Sequence, residues 1–409
     1  MSVKLTEEQN KLIEKIAKDN GFSDYELITN PGSEKGDNFL GILTTVTIKN
    51  EDKRLELILK AAHQSEAFRK AAPLRVAYIR EIFIYEHIFE EFKKFQEEYN
   101  IPNPFDSYVK MYAASTLDGH ECFVMENLKV EGFKLWDKKV PMNAGHISKV
   151  IKEYAKFHAI SIALKHKHPE IFKELTKDIT DAAFQDGNND EENKVKFESF
   201  IKAVCSTASK AFEDDPVLTG YFKEFESAIY NFVATDFKDP EYKQVIVHGD
   251  CWCNNFLFKY DDNNNSIQPS LLRIIDWQIT MLSSPAYDFC YFFLAHSPKE
   301  ILDDYRTYLN LYYDTFSKHL QHFNCDPEEF SYSRMEKHVS KFMVFGLSTC
   351  LMVLKIMLAD SEEAPDFQKI SENGDLMEGM NFEVGNMDAY KNRVKDILIF
   401  LKDNNFLTN

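Results

Sequence analysis

Hydrophobic positions in the first third of the chain alternate in two runs and then change to a helical period. The runs FLGILTTVTIKN and KRLELILKAAH have the two-residue period of strands, with a polar turn at 50–53 between them. Helical spacing follows from 74 to 95, and two strand-like runs, PFDSYVKMYAAST and CFVMENL, come next. Together they predict a sheet of four or five strands with one long helix. A capping box of Thr6 and Gln9 predicts a further helix in front of this sheet.

The pattern after Asn127 is mainly helical. A period near 3.6 is clear in GHISKVIKEYAKFHAISIAL, and two more helices are expected between 192 and 235. One island of strand, VIVHGD followed by NNFLFKY, precedes a polar turn and a returning strand, LLRIIDW. The most apolar stretch, KFMVFGLSTCLMVLKIMLAD, predicts a buried helix. These patterns predict an α+β protein of two lobes, 1–126 with the small sheet and 127–409 mainly helical.

Composition and net charge reduce the classes of binding partner that this protein is expected to have. The chain has 409 residues and a formal net charge of -18, so its averaged field repels nucleic acid and anionic membranes, and neither is expected as a partner. The N-terminus lacks the apolar core of a signal peptide, and no membrane span is expected. Seven scattered cysteines are typical of reduced thiols. A cytoplasmic protein is therefore predicted, without a zinc site at the C-x-C of Cys251 and Cys253, since no further ligands accompany that pair.

The segment VIVHGDCWCNNFLF carries the candidate chemistry. Asp250 lies in a tight turn, Asn255 follows five residues later, and Asp276 ends the strand expected to return beside them. Carboxylate and amide oxygens are the ligands that Mg²⁺ prefers, so Asn255 and Asp276 are candidate metal ligands for a phosphoryl transfer. Asp250 is then the residue that accepts or orients the hydroxyl of the incoming acceptor. His248 is expected to hold the loop rather than to titrate in the reaction.

The pair of motifs HGDCWCNN and IIDWQ resembles the H-G-D-x-W-x-x-N and I-D-[FW]-Q motifs of the ecdysteroid kinase-like family, also called CHK-kinase-like, which is related to choline and aminoglycoside kinases. The order of the motifs, the spacing within the loop and the interval between them all agree. This resemblance implies a two-lobed protein-kinase-like fold, with ATP bound between the lobes together with Mg²⁺. It extends over most of the chain, from about residue 24 to 358.

The resemblance also implies roles in the first lobe. Lys60, at the end of LELILK, corresponds to the lysine that neutralises nucleotide phosphates, and its alternation with Ile58 places it on a potentially inward face. Glu81 corresponds to its ion-pair partner on the long helix, with Glu86 and Glu90 as rivals. The segment FVMENL resembles the hinge, in which the backbone of three residues would bind adenine: Glu126, Asn127 and Leu128.

The resemblance implies two further elements of the family: a turn that covers the nucleotide phosphates and a structural aspartate. The segment GSEKGDNFLGIL resembles the turn that covers the phosphates, with Gly36, Asp37 and Asn38 as its binding residues, although it lacks a full G-x-G-x-x-G and has Gly41 where relatives often have serine. Asp288, in SPAYDFCYFFL, resembles a structural aspartate that follows the metal motif. His158 is expected to be a buried histidine with satisfied hydrogen bonds rather than a ligand.

The sequence leaves the chemical class of the acceptor open. The resemblance implies a hydroxyl of a lipophilic molecule, such as an ecdysteroid or a xenobiotic alcohol. The acidic chain is also compatible with a cationic acceptor of the choline or aminoglycoside kind. A catalytically silent ligand-binding pseudokinase is the alternative from another class, while a protein kinase is disfavoured because the D-F-G and A-P-E motifs are missing.

Overall fold

A computed structural model describes residues 2–32, 41–71, 73–179, 190–261, 267–360, 382 and 384–407. The predicted phosphate-covering residues Gly36, Asp37 and Asn38 lie outside the described residues, as do 262–266 of the polar turn before LLRIIDW. The described residues form a sheet lobe and a helical lobe, as the sequence predicts. The predicted division between residues 126 and 127 falls at the end of the last strand of the large sheet.

The sheet lobe contains one antiparallel sheet of five strands in the order β1-β2-β3-β5-β4. The predicted hairpin is present, and its register sets Leu43 opposite Lys60, which in turn lies opposite Phe123 on the next strand. Since alternate residues of a strand share one face, Ile58 and Lys60 face the same side of the sheet. The strands are β1 (Glu26–Pro31), β2 (Gly41–Lys49), β3 (Arg54–Ala62), β4 (Met111–Ser115) and β5 (Cys122–Glu126).

Helix α1 (Glu7–Asp19) begins at the predicted capping box, in which Thr6 and Gln9 bind each other's backbone nitrogens. The expected long helix also exists but has an internal irregularity. After α2 (Glu66–Ala71), helix α3 (Leu74–Phe83) passes through a π-helical turn (Ile84–Ile88) into α4 (Phe89–Glu98). Single π turns inside α-helices occur frequently at functional sites. This one begins three residues after Glu81 and changes the direction in which later side chains point.

Tyr78 of α3 explains why the chain has glycine at the start of β2. A Cβ atom on Gly41 would lie 2.1 Å from the Tyr78 hydroxyl, which is too close for any side chain at residue 41. The Tyr78 hydroxyl is buried and makes no hydrogen bond to the described residues. The space that a serine side chain would take at position 41 is therefore filled by the helix.

The helical lobe is built around α5, which is buried along most of its length and is the helix predicted from the 3.6-residue period. The two helices expected between 192 and 235 are present as α7 and α8. The helices of this lobe are α5 (Ala144–Lys167), α6 (Pro169–Thr176), α7 (Asp190–Ala211), α8 (Pro216–Ala234), α9 (Pro285–His296), α10 (Lys299–Asp303), α11 (Tyr305–His322), α12 (Tyr332–Leu358) and α13 (Met387–Asp403).

Helix α12 contains the most apolar stretch of the sequence. The helical region Pro327–Leu358 is long and apolar enough to cross a bilayer, but 78% of its apolar window is buried inside the fold. It packs along α9, which is itself buried at every residue. The prediction of a buried helix is confirmed.

The strands around the HGD motif form the predicted hairpin and one further pair. Strand β8 (Phe256–Lys259) pairs with β9 (Leu271–Ile274) as the predicted returning strand, and β6 (Lys134–Leu135) joins their outer edge. Strand β7 (Val245–Val247), however, pairs with β10 (Met281–Ser283), which comes after the IIDW motif. The two strands that flank the HGD turn therefore belong to two separate small sheets. The predicted hairpin is thus confirmed in β8 and β9, whereas the partner of β7, which the sequence pattern does not predict, lies beyond Asp276.

The two lobes are joined directly at the end of β9. The Ile274 nitrogen donates to the Ser107 carbonyl at 2.8 Å, and Tyr108 forms a parallel bridge with Ile274. The Ser107 hydroxyl donates to the buried carboxylate of Glu153 on α5, at 3.0 Å. These contacts fix the chain just before Asp276 to the sheet lobe, so that residue lies at the junction of both lobes.

Candidate active site

Lys60 is the centre of a buried ion-pair cluster between the lobes. Its Nζ atom donates to Glu81 Oε2 and to Asp276 Oδ1, each at 2.8 Å. Burial disfavours the Lys60 ammonium, but the charges of Asp276 and Glu81 outweigh it, so the pKa of Lys60 is raised and the side chain is charged at neutral pH. The rival glutamates of the sequence, Glu86 and Glu90, are exposed on the other side of the helix.

Glu81 links this lysine to the loop that carries Asp276. Its second oxygen, Oε1, accepts a hydrogen bond from the Trp277 nitrogen at 3.3 Å. The Trp277 ring lies fully buried, with its Nε1 donating to the Ile274 carbonyl at 3.2 Å. The Glu81 carboxylate therefore holds both Lys60, the candidate for neutralising phosphate charge, and the backbone next to Asp276, a candidate metal ligand.

Asp288 holds the HGD turn through hydrogen bonds to its backbone. This buried carboxylate accepts hydrogen bonds from the nitrogens of His248 at 2.7 Å and Gly249 at 2.9 Å, and from His158 Nε2 at 3.1 Å. His158 also contacts the Tyr312 hydroxyl at 2.8 Å. His158 is thus the satisfied buried histidine that the sequence predicts, and Asp288 has the contacts of the structural residue that the resemblance implies.

Gly249 and His248 shape the same turn. Gly249 has a φ of +90°, and a Cβ atom there would lie 2.7 Å from the Ile279 carbonyl oxygen, so only glycine fits. His248 is buried, with Nε2 at 2.9 Å from the Ile275 carbonyl and Nδ1 accepting from the Asp250 nitrogen at 3.2 Å. His248 therefore holds the Asp250 turn against the Asp276 turn, as predicted.

Asp250 and Asn255 are joined across the loop. The Nδ2 atom of Asn255 donates to the Asp250 backbone carbonyl at 2.9 Å and to Asp250 Oδ2 at 3.0 Å. A third group, the Tyr291 hydroxyl, donates to Asp250 Oδ1 at 3.3 Å. Burial, followed by the nearby charge of Asp276, raises the pKa of Asp250 to about 7. A carboxyl with a pKa near neutrality is well matched to accepting and releasing a proton.

The donor set at this position fits a hard divalent cation. The amide nitrogen of Asn255 is committed to Asp250, which leaves its Oδ1 oxygen as the group that can coordinate an ion. Asp276, partly exposed to the cleft, supplies a carboxylate. Asp276 also has a φ of +67°, a conformation that non-glycine residues rarely adopt and that is frequent at functional sites. An amide and a carboxylate oxygen facing a polyphosphate site are suited to Mg²⁺, which retains several waters.

The predicted hinge residues line the same cleft. The Glu126 carboxylate accepts from the Lys110 nitrogen at 2.9 Å, and the Asn127 nitrogen donates to the Glu56 carbonyl at 3.1 Å. Leu128 begins a short 3₁₀ helix that the Asn127 side chain caps, so its own N–H has no partner within that helix. The backbone of this segment is therefore the part that can meet a planar base.

Apolar side chains from both lobes form a slot beside the hinge. On one side of the cleft they come from the sheet lobe and on the other from strands β8 and β9 and the residues after them. Those lining the slot are Leu43, Ile58, Val109, Met125, Leu257 and Ile275. Polar groups are concentrated at the other end, where Lys60, Asp250, Asn255 and Asp276 meet.

The structure thus brings the sequence-predicted residues of both lobes to one cleft, apart from those outside the described residues. Sequence reasoning missed Tyr291, Met125 and the apolar side chains of Trp252 and Ile279 beside Asp250. Tyr291 lies one helical turn after Asp288, so the i, i+3 spacing of these two residues was an available signal. Trp252 was visible in the motif, but its place in the cleft wall was not.

Comparison with solved structures gives matches over most of the chain, two of which are described next. A GDP complex of a variant aminoglycoside 2'-phosphotransferase is 12% identical, covers 89% of this chain and 96% of its own, and has a TM-score of 0.43. A spectinomycin phosphotransferase in complex with ADP and spectinomycin is 10% identical, covers 86% and 98%, and has a TM-score of 0.41. Comparison with curated proteins yields no match. The model of the ecdysteroid kinase-like family matches residues 35–325, more than half of the chain, and the protein therefore belongs to that family.

Proposed function

We propose that this protein is an ATP-dependent kinase that phosphorylates a hydroxyl of a small lipophilic alcohol. The observation that carries the proposal is the convergence of Lys60, Asp250, Asn255 and Asp276 at the polar end of a cleft whose other end is an apolar slot. Membership of a phosphotransferase family supports the reaction class. Adenine would lie in the slot beside the backbone of Glu126, Asn127 and Leu128, with the phosphates towards Lys60.

In the reaction, the acceptor hydroxyl oxygen forms a bond to the γ-phosphorus as the bond to the β-phosphate oxygen breaks, and ADP leaves. Asp250 orients the hydroxyl and takes its proton. Lys60 neutralises phosphate charge, and Glu81 holds Lys60 in place. Asn255 and Asp276 would hold Mg²⁺, which would neutralise phosphate charge. The remaining rate gain comes from positioning.

The apolar side chains in the described lining of the cleft support a lipophilic acceptor. The lining also contains four acidic residues: Glu81 and Asp276 pair with Lys60, and Glu126 accepts from the backbone nitrogen of Lys110 at the hinge. The fourth, Asp250, is the residue that the proposed mechanism uses. In the same wall, Ile279 adds an apolar side chain, whereas the Trp252 ring suits an apolar acceptor and a quaternary amine alike, so competition by choline distinguishes the two classes.

The test measures ADP formation from MgATP over a panel of steroid and xenobiotic alcohols, with choline and an aminoglycoside as cationic competitors. Turnover of a lipophilic alcohol that choline does not inhibit supports the proposal, and D250N should abolish turnover while retaining nucleotide binding. Turnover of choline or the aminoglycoside alone would support the cationic alternative. Absence of turnover with every acceptor, together with tight binding of one, would identify a ligand-binding pseudokinase.

A further inference from the structure

A buried tyrosine that is not among the described residues of the cleft lining contacts the proposed catalytic aspartate. The Tyr291 hydroxyl donates to Asp250 Oδ1 at 3.3 Å, and Tyr291 is buried in helix α9. We propose that Tyr291 is a positioning residue, whose hydroxyl fixes the orientation of the Asp250 carboxylate for the acceptor. This inference rests on the proposed kinase function, in which Asp250 meets the acceptor hydroxyl.

The carboxylate of Asp250 is held on both oxygens. Asn255 Nδ2 donates to Oδ2 at 3.0 Å while Tyr291 donates to Oδ1. Rotation about the Cβ–Cγ bond of aspartate is intrinsically broad, so one donor alone leaves this angle loosely defined. Two donors on different oxygens define it. Without the tyrosine hydroxyl, only the Asn255 contact remains among the hydrogen bonds that the described residues make to this carboxylate.

The tyrosine is itself rigidly placed. Helix α9 begins at the Ser284 cap, with Pro285 in its first turn, and all its residues are buried. Asp288, one turn before Tyr291, holds the backbone nitrogens of His248 and Gly249. One face of this helix therefore holds the turn in two ways. Asp288 binds the backbone nitrogens of the turn, and Tyr291 binds the side chain of Asp250. These two roles are separable by mutation.

The expected kinetic signature differs from that of a general packing residue. Asp250 is among the described residues that line the cleft, whereas Tyr291 is not, so the hydroxyl is expected to act through Asp250. Losing the hydroxyl should lower kcat and leave KM for ATP nearly unchanged. Small misplacements of a catalytic group can lower rates by up to roughly 100-fold, so a loss of about 10-fold or more in kcat is expected.

The experiment compares Y291F with Y390F in the full-length protein. Tyr390 is a matched control, because it is fully buried in α13 and its hydroxyl makes no hydrogen bond to the described residues. Y291F should lose about 10-fold or more in kcat, with KM for ATP within about twofold of wild type, whereas Y390F should keep both.

Two results would overturn the assignment: an unchanged kcat in Y291F, or a loss confined to KM. Crystal structures of wild type and Y291F provide a test that does not depend on turnover. The Asp250 carboxylate should rotate or lose order in Y291F, and an unchanged, well-ordered carboxylate would refute the inference. If wild type turns over none of the acceptors, the proposed function fails, and the crystal structures still decide whether Tyr291 orients Asp250.

Discussion

Lys60 and Asp276 are 216 residues apart in sequence, yet the Lys60 Nζ atom lies 2.8 Å from Asp276 Oδ1. Glu81 completes the cluster at the same distance from the other side. Because this lysine is almost fully buried, its charge is compensated by the two carboxylates rather than by water. The cluster both joins the lobes and places a cation where the proposed phosphates lie.

Replacing Lys60 should therefore affect stability as well as activity. K60M leaves Glu81 buried without its cation, and breaking a buried pair in this way costs about 3–5 kcal/mol. We expect the free energy of unfolding to fall by that order in urea titrations, and turnover to be lost. E81Q should cost less, because Lys60 keeps Asp276. E86Q is the control: Glu86 is exposed, so both stability and kcat should stay at wild-type values, and a loss equal to that of E81Q would contradict the assignment of Glu81.

The role of Asp276 is tested by comparing its asparagine and alanine variants. D276N removes the carboxylate charge, so nucleotide binding should lose its dependence on Mg²⁺, whereas wild type should bind ATP at least about 10-fold more weakly in EDTA. Titration calorimetry in Mg²⁺ and in EDTA measures both. Since asparagine tolerates a positive φ better than alanine, D276A should also be less stable than D276N, by about 1 kcal/mol. An unchanged EDTA effect in D276N would remove Asp276 from the metal site.

Gly41 and Tyr78 should behave as a coupled pair. A Cβ atom at residue 41 would meet the Tyr78 hydroxyl at 2.1 Å, and its next neighbours are the Ala61 carbonyl oxygen at 3.2 Å and the ring carbon that bears the hydroxyl at 3.4 Å. G41A should therefore destabilise the wild-type protein by about 1–3 kcal/mol, as overpacking does, and cost much less in a Y78F background. Y78F alone should be neutral or stabilising, because it removes a buried hydroxyl without a partner. The same loss for G41A in both backgrounds, in a double-mutant cycle by urea unfolding, would contradict this coupling.

Much of the site could be predicted from local sequence because strands and helices repeat regularly. The two-residue period of β3 places Lys60 with Ile58 on the cleft side, and the HGD and IIDW motifs locate Asp250, Asn255 and Asp276. The choice of Glu81 over Glu86 was open at sequence level. The structure decides it, because the residues that α3 buries share a face with Glu81, whereas Glu86 lies in the π turn and faces solvent.

What could not be predicted depends on contacts between distant segments. Nothing in VIV indicates that β7 pairs with Met281–Ser283 rather than with the strand that follows the HGD turn. The hydrogen bond from Tyr291 to Asp250 requires helix α9 to pack against the loop with the face that carries Tyr291 directed towards Asp250. The conflict between Gly41 and Tyr78 likewise joins a strand to a helix more than thirty residues away. Tertiary packing, not local propensity, decides these features.

Several buried histidines should make stability fall on acidification. His296 is fully buried, and burial lowers its pKa to about 3; burial also lowers the pKa of His146 and His338 to about 4. A histidine that is neutral when folded binds a proton on unfolding below its ordinary pKa near 6.5, so the unfolded state gains protons and the folded state loses stability as pH decreases. Asp250, with a pKa raised to about 7, has the opposite effect, since its protonation on acidification relieves a buried charge.

The His296 contribution can be isolated with H296Q, because the other groups cancel in the comparison with wild type. His296 Nδ1 contacts the Phe292 carbonyl at 2.8 Å, and its ring packs on Phe256 and Phe292, so the variant is expected to be less stable at pH 7.5. Between pH 7.5 and 5, the unfolding free energy of wild type should fall by about 2 kcal/mol more than that of H296Q. The figure follows because pH 5 lies about 1.5 units below the pKa of an unfolded histidine, and each unit corresponds to about 1.4 kcal/mol. Urea unfolding at both pH values measures the difference. Equal losses in the two proteins would mean that His296 is protonated, and has a partner, in the folded state.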